Sequence, residues 1–489
     1  MSLSTRQPSR AGTALALLLA AQPLLDVFSY FMKLSGHTAV TTGLRLVMLA
    51  AVCAFAFALA ERKAPTLLLW GAAGAFWLLH LLNCLRVGYV DPIGDAAEYL
   101  KLLQFPLWMM AFLTLFRREE ALADRVLFVL AVNLALILAV IGLSYLTGRP
   151  VYTYEYPERG QYIGVLGWFG VANAQSALLC LVVPGAMLWA LRTEKLWLYA
   201  LVSFAGCALL YFTGTRLAFY AGVGVAALFL VMVFFSRQPW LFAVPPLIVL
   251  ALFLVFRGAS PMARRQALSG DSFAVYQEQI DAVMGEDAGF DPARDDLTPA
   301  VREKLARVYT EVYGREGVYG EFLLEDLLDR FGTDRVLEAM HYTAASSDLN
   351  DLRKRKLTAL SLLWEEEDFL THLVGMEYSK ATIGAHNYDP ENDFPSLVYY
   401  YGWLGAGLYI LFLLGVAGAC LVGFFRRFPR LVTPEVLVFA FCLVLGLGAA
   451  QVGGQVLRRP NVTVYLSLAG AQLLFRCRDA RTLKGGLRP

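Results

Sequence analysis

The chain reads as an all-α, polytopic membrane protein with about twelve transmembrane helices and one large helical extracytoplasmic loop. Three observations predict this class. Hydrophobic residues make up 58% of the 489 positions and charged ones only 17%, which is not the balance of a soluble domain. Apolar runs long enough to cross a hydrocarbon layer recur along the chain. Charge is also divided unevenly: residues 257–393 carry 15 Lys and Arg against 27 Asp and Glu, leaving 27 against 13 elsewhere. The two parts are therefore expected to face different surroundings.

The elements follow in order. Residues 1–10 are polar, with Arg6 and Arg10, and no small-residue cleavage site trails the apolar run behind them, so the first span is expected to be retained. Spans are expected at 11–33, 39–60, 66–86, 98–116, 125–147, 170–191, 195–213, 217–236, 240–257, 395–424, 433–454 and 461–476. Arg62–Lys63, Arg117–Arg118, Arg192 with Lys195, Arg237, Arg426–Arg427 with Arg430, and the basic tail from Arg476 to Arg488 then share one side. Short-loop Lys and Arg mark the cytoplasmic side, so both termini are placed there. Three regions result: membrane helices in 1–257, an extracytoplasmic helical loop at 258–394, and in 395–489 the remaining helices with the tail.

Within the loop, Ala300–Tyr313 and Glu321–Met340 set Leu, Val and aromatic residues at helical spacing between charges, which predicts a small helical cap. All seven cysteines lie outside it, in or near apolar stretches or by the tail, so no disulfide framework is expected. The loop holds no Cys/His cluster, P-loop or Gly-rich nucleotide fingerprint, so neither zinc nor ATP is indicated, and nucleic acid is not an expected partner.

What chemistry there is sits at the outer ends of the spans. Arg216 lies in the tight turn Thr213–Gly214–Thr215–Arg216, beside where a lipid head group would be. A guanidinium grips phosphate in a planar fork at any pH. Arg458, Arg459 and Arg159 stand on the same side and Arg86 and Lys101 flank another outer mouth, so an anionic ligand is expected there. Asp26 and Arg45 read as a buried pair rather than as ligands. The stretch Glu391–Asn392–Asp393–Phe394–Pro395 is where the hydrophilic segment re-enters the membrane; it reads either as a wet functional site or as a helix start. Tyr399 to Tyr401 follow, as sugar-stacking faces or interfacial anchors.

These residues carry a resemblance. Tyr162–Ile163–Gly164 and Gly167–Trp168–Phe169–Gly170–Val171–Ala172–Asn173, followed by an apolar span with Pro184, resemble the G-W-F-x-x-x-N motif of the O-antigen ligase and polymerase superfamily. The junction Thr213–Gly214–Thr215–Arg216 is similar to that family's as well. Glu391–Asn392–Asp393–Phe394 with Gly402 and Leu404–Gly405 resembles its His-Asn-x-aromatic and Gly-x-x-Gly pattern after the large outer loop. Gly453–Gly454–Gln455–Val456–Leu457 with Pro460 resembles its late Gly-His-x-Leu turn.

The resemblance implies a bacterial inner-membrane glycosyltransferase. Such an enzyme moves a glycan from an isoprenoid (undecaprenyl) diphosphate carrier to an acceptor sugar or glycolipid at the outer face, inverting the anomeric centre, with no metal, nucleotide or other cofactor. Arg216 would hold the diphosphate, helped by Arg458, Arg459 or Arg159, with Asn173, Asn392 and Tyr400 as candidate substrate contacts. The family's usual histidine falls on Glu391 by spacing to Gly402, while a His–Asn pair, His386–Asn387, lies just upstream. Glu391, His386 and Asp393 are thus the candidate bases, in that order. Polymerase and ligase remain open, and the alternatives from other classes are a transporter or flippase of the same lipid-linked sugar and a non-catalytic assembly scaffold.

Overall fold

The computed structural model describes residues 9–235, 238–313, 323–428, 432–454 and 456–479. Arg6, Arg237, Arg430, Gln455, the start of the expected loop helix at Glu321, and the tail beyond Asp479 lie outside the described residues. The fold is 79% helix and 2% strand, which makes it an all-α polytopic membrane protein.

Each of the twelve expected spans coincides with helix. Eight of these helices are long and apolar enough to cross a membrane: Thr38–Leu59, Ala64–Val87, Pro92–Arg118, Glu120–Leu146, Ala172–Arg192, Arg216–Phe235, Asp393–Arg427 and Pro434–Val452. A ninth is reached if Arg10–Ala20 and Gln22–Leu34, bent by 45°, count as one span. Leu196–Phe212 and Trp240–Val255 are apolar but shorter, and Pro460–Leu474 has 15 residues. Helices of that size rise about 25 Å or less, short of a hydrocarbon core of roughly 30 Å. By length and composition the described residues therefore supply eight or nine spans, fewer than the expected twelve.

The chain divides into two compact units. The first comprises Met1–Ala72, Leu100–Arg265 and Ile410–Pro489. Its hub is Ala172–Arg192, 94% buried and apolar all round, packed by Glu120–Leu146, Leu196–Phe212, Pro434–Val452 and Pro460–Leu474. Asp26 and Arg45 form the expected buried ion pair here, 6% and 10% exposed. All seven cysteines are free.

The second unit comprises Ala73–Tyr99 and Gln266–Tyr409. It takes in most of the long loop together with a segment that the sequence assigns to the membrane helices. The loop part is helical: Pro261–Met284, Pro299–Arg307, Leu323–Phe331, Thr333–Ala339 and Leu352–Glu365 surround a core that includes Ile280, Leu305, Tyr309, Leu327, Leu337 and Leu349, and Phe369–Val374 follows them. Burying such side chains is worth about 1.5–3 kcal/mol each, enough to make this a packed unit. The helix expected over Glu321–Met340 is two helices, because Gly332 turns to φ 80° between them.

Candidate active site

In the first unit, three segments singled out in the sequence meet. The segment before the hub helix carries a short hairpin, Tyr154–Tyr156 paired with Gln161–Ile163. Gly164 follows at φ 78°, and a Cβ there would lie 2.6 Å from the Thr213 carbonyl oxygen, so only glycine allows the approach. Val165 donates its N–H to the Phe212 carbonyl at 2.9 Å. The tight turn is thereby clamped to the G-W-F segment. A second tie runs between helices, Ser176 Oγ lying 2.7 Å from Thr215 Oγ1. Thr215, buried, also accepts from the Ala218 N–H at 3.1 Å and so caps the helix that Arg216 opens.

The third segment is the late glycine turn. Gly454 sits at φ 120°, and a Cβ on it would come within 3.2 Å of Asn173 Nδ2. Four residues on, Arg458 is buried and Arg459 occupies the N-cap of Pro460–Leu474. The starts of the helices at Ala172 and Arg216 are thus joined, and the turn that leads to the helix at Pro460 abuts the first of them; a helix start presents the positive end of its dipole. Arg216 is exposed at the first position of its helix, and Arg159 is exposed at the tip of the hairpin.

Sequence reasoning missed Arg265. Its guanidinium lies 4.1 Å over the Tyr154 ring, on the hairpin, and its Nε is buried with no hydrogen-bond partner. A Cβ on Gly214 would meet Pro261 at 3.2 Å, so the helix bearing Arg265 starts against the same tight turn. In the sequence this arginine is one more charge in an acidic loop; only the Ser260–Pro261 helix start just before it hints at a fixed position.

In the second unit the three candidate bases occupy different settings. His386 stands on a two-residue strand paired with Thr382–Ile383, and its Nδ1 lies 2.5 Å from Asp326 Oδ2. Tyr388 donates its hydroxyl to the same carboxylate at 3.3 Å. With Nδ1 turned to a carboxylate, the neutral ring presents Nε2 as an acceptor, which is how a general base is oriented. The ring is 30% exposed. Glu391 instead accepts a hydrogen bond from Arg353 Nε at 2.9 Å, so its carboxylate is already engaged in an ion pair. Asp393 is fully buried in the first turn of Asp393–Arg427.

Asn392 precedes that helix, its carbonyl accepting from the Ser396 hydroxyl at 2.7 Å. Tyr400 is 1% exposed, donates to Asp389 at 3.0 Å and packs against Tyr378, so its ring is enclosed and offers no face for sugar stacking. Arg86, expected to flank an outer mouth, is committed to Asp368 and to Asn83. Asp368 caps Phe369–Val374 by accepting the Thr371 N–H at 2.9 Å; that bond and Arg86 hold its carboxyl down to about 2.

The motif glycine of this unit breaks the helix it belongs to. Gly402 has φ 62° and ψ −176° inside Asp393–Arg427, and a Cβ on it would meet the Gly375 nitrogen and the Leu373 carbonyl at 2.5 Å. Gly375, at φ 95°, is equally tight against the Tyr400 carbonyl, and Met376 donates its N–H to the Tyr399 carbonyl at 3.0 Å. Close by in space but distant in the chain, His80, Cys84 and Asp95 form the one group of side chains among the described residues with metal-ligand proximity. Hydrogen bonds already occupy it: His80 faces the Val374 carbonyl at 2.8 Å and Asp95 at 2.9 Å, and Asp95 also receives Tyr89 at 2.7 Å and the Tyr378 N–H at 3.0 Å. The cluster ties Ala64–Val87 to the segment that abuts Gly402.

The chain matches the family described as O-antigen ligase like membrane protein over residues 12–287 and 333–479, most of its length. No curated protein matches it.

Proposed function

Since the chain belongs to the O-antigen ligase-like membrane protein family, whose description points to glycan transfer at a membrane, we propose that it transfers a glycan from an isoprenoid diphosphate to an acceptor hydroxyl at the outer face of the cytoplasmic membrane. Arginines supply the anion-holding groups in this reading. Arg216, with Arg265, Arg159, Arg458 and Arg459, neutralises the diphosphate and so makes it a good leaving group. Asn173 and Asn392 contact the glycan. What supports this is the meeting of two helix starts and the glycine turn at Thr215, Asn173 and Gly454, with Arg216 heading one of those helices and Arg459 the helix that follows the turn.

A histidine supplies the base in this reading. His386, oriented by Asp326, takes the proton from the acceptor hydroxyl as its oxygen attacks the anomeric carbon. The new glycosidic bond forms while the bond to the diphosphate oxygen breaks, and the carrier leaves as its diphosphate; a single displacement of this kind inverts the anomeric centre. Glu391 is the second reading for the base, favoured by its spacing to Gly402, and Asp393, buried at the helix start, is the third.

Proteoliposomes given an isoprenoid-diphosphate oligosaccharide and candidate acceptors test the assignment. Transfer by the parent, lost in Arg216→Ala and in His386→Ala and retained in Glu391→Gln, is the expected pattern. Loss in Glu391→Gln with His386→Ala active moves the base to Glu391. Lipid-linked sugar crossing the bilayer with no new glycosidic bond sinks the transferase and leaves a transporter; neither transfer nor crossing by the parent leaves a scaffold, and transfer retained in every variant overturns the residue assignment.

A further inference from the structure

The helical part of the second unit holds a cavity of about 660 Å³ that shares no residue with the site described above. Its size falls in the range of roughly 300–1,000 Å³ usual for small-molecule sites. Phe290, Met340 and Leu357 give its lining apolar surface. Its charged residues come as pairs: Arg294 Nε lies 2.7 Å from Asp291 Oδ2, and Lys354 is bridged to Asp348. Polar and apolar side chains thus share the lining, while its fixed charges pair off within the wall. A ligand matched to that wall carries many hydrogen-bonding groups, has apolar faces and bears no net charge, which describes a neutral sugar.

His341 gives the cavity its second distinguishing feature. Thr333–Ala339 ends there in a turn in which His341 donates its N–H to Glu338 at 2.9 Å and Tyr342 donates to Leu337 at 2.8 Å. Such helix ends favour glycine, yet His341 stands at φ 55° and Tyr342 at φ 53°. Tyr342 has a packing reason, since it lies against the buried core. His341 has none: it is exposed, lines the cavity, and its imidazole makes no hydrogen bond among the described residues. A non-glycine kept in a left-handed conformation at a cavity wall points to use of its side chain.

We propose that this cavity is a second glycan site, which takes a neutral segment of an oligosaccharide and holds it with His341 and Phe290 of its lining. The proposal rests on the glycan-transfer reading and deepens it: a site remote in sequence from the diphosphate and base residues would retain the chain being built or the acceptor being modified.

Binding is tested on the whole protein in nanodiscs by saturation-transfer NMR. The probes are neutral trisaccharides of glucose, galactose, mannose and N-acetylglucosamine, with trigalacturonate as the acidic control. His341→Gly removes the imidazole while relieving the backbone, and Ala345→Phe fills the cavity from its wall. Binding of at least one neutral probe is expected, weakened tenfold or more by each change, with the thermal midpoint of His341→Gly equal to or above the parent's. Binding of trigalacturonate alone, of no probe, or of neutral probes unaffected by both variants overturns the proposal. The assay needs no turnover, so a negative result leaves the transferase reading standing, and failure of transfer in proteoliposomes does not decide this one.

Discussion

Arg216 heads its helix from a turn with no slack, and that is why it was legible in the sequence: a tight turn between two apolar spans fixes its level whatever the packing. Arg216→Ala is expected to lower transfer by ~10²–10³-fold, the usual effect of removing one donor from a developing anion, with Arg216→Lys in between because it keeps charge and loses the fork. Initial rates in proteoliposomes measure both. Asp26 and Arg45 were legible for a similar reason, since a charge within a span must find its opposite. Arg265 and the His386–Asp326 pair were not. Arg265 acquires its role from a ring more than a hundred positions away, and His386 is oriented by a carboxylate 60 residues upstream. Asp368 gives a pH prediction. The Thr371 N–H and Arg86 depress its folded pKa to about 2, below the ordinary carboxylate value of about 3.9, so its stabilising contribution is complete above that value and is lost as pH falls toward 2. Acid titration of the melting temperature should therefore show a smaller decline between about pH 4 and pH 2 in Asp368→Asn, which starts from a lower midpoint.

Among the elements, glycine turns decide the geometry more than helix propensity does. The Gly402 motif was visible as a spacing, but its reason lies in Gly375, twenty-seven residues back, against which it packs backbone to backbone. Gly402→Ala and Gly375→Ala each force an L side chain into a left-handed conformation and into main-chain atoms, a loss expected to exceed ~2 kcal/mol. Thermal unfolding in nanodiscs reads that loss, and the pair should couple rather than add, since both changes open the same contact. Thr215→Val removes the cap of the Arg216 helix and the tie to Ser176 together, with an expected cost of about 1–3 kcal/mol and a parallel fall in transfer. The apolar runs 195–213 and 240–257 were read as spans by their length, and the helices within them, Leu196–Phe212 and Trp240–Val255, are shorter than the runs.

For the whole molecule, composition alone carried the class, since no soluble fold hides so much apolar surface. The acidic excess of 257–393 marked out a separate body before any contact was known, and the second unit contains most of it. Composition could not show that Ala73–Tyr99 joins that unit, because the His80 and Asp95 bonds that hold it there link distant positions. Transfer at this scale is expected to be indifferent to chelators. Guanidinium groups supply the positive charge at the candidate diphosphate site, so EDTA in the proteoliposome assay should leave the rate within about twofold; a collapse restored by one added cation would assign that charge to the cation. The seven free thiols bear on a different question. Six are buried and Cys53 is half-buried, which leaves almost no thiol for a water-borne electrophile to find. Native protein should thus stay dark to a membrane-impermeant maleimide, and single added cysteines become reporters without first stripping the natural ones. Glu155→Cys on the hairpin and Arg62→Cys in a short basic loop should then label from opposite faces of intact cells and inverted vesicles, turning a silent background into a map of sidedness.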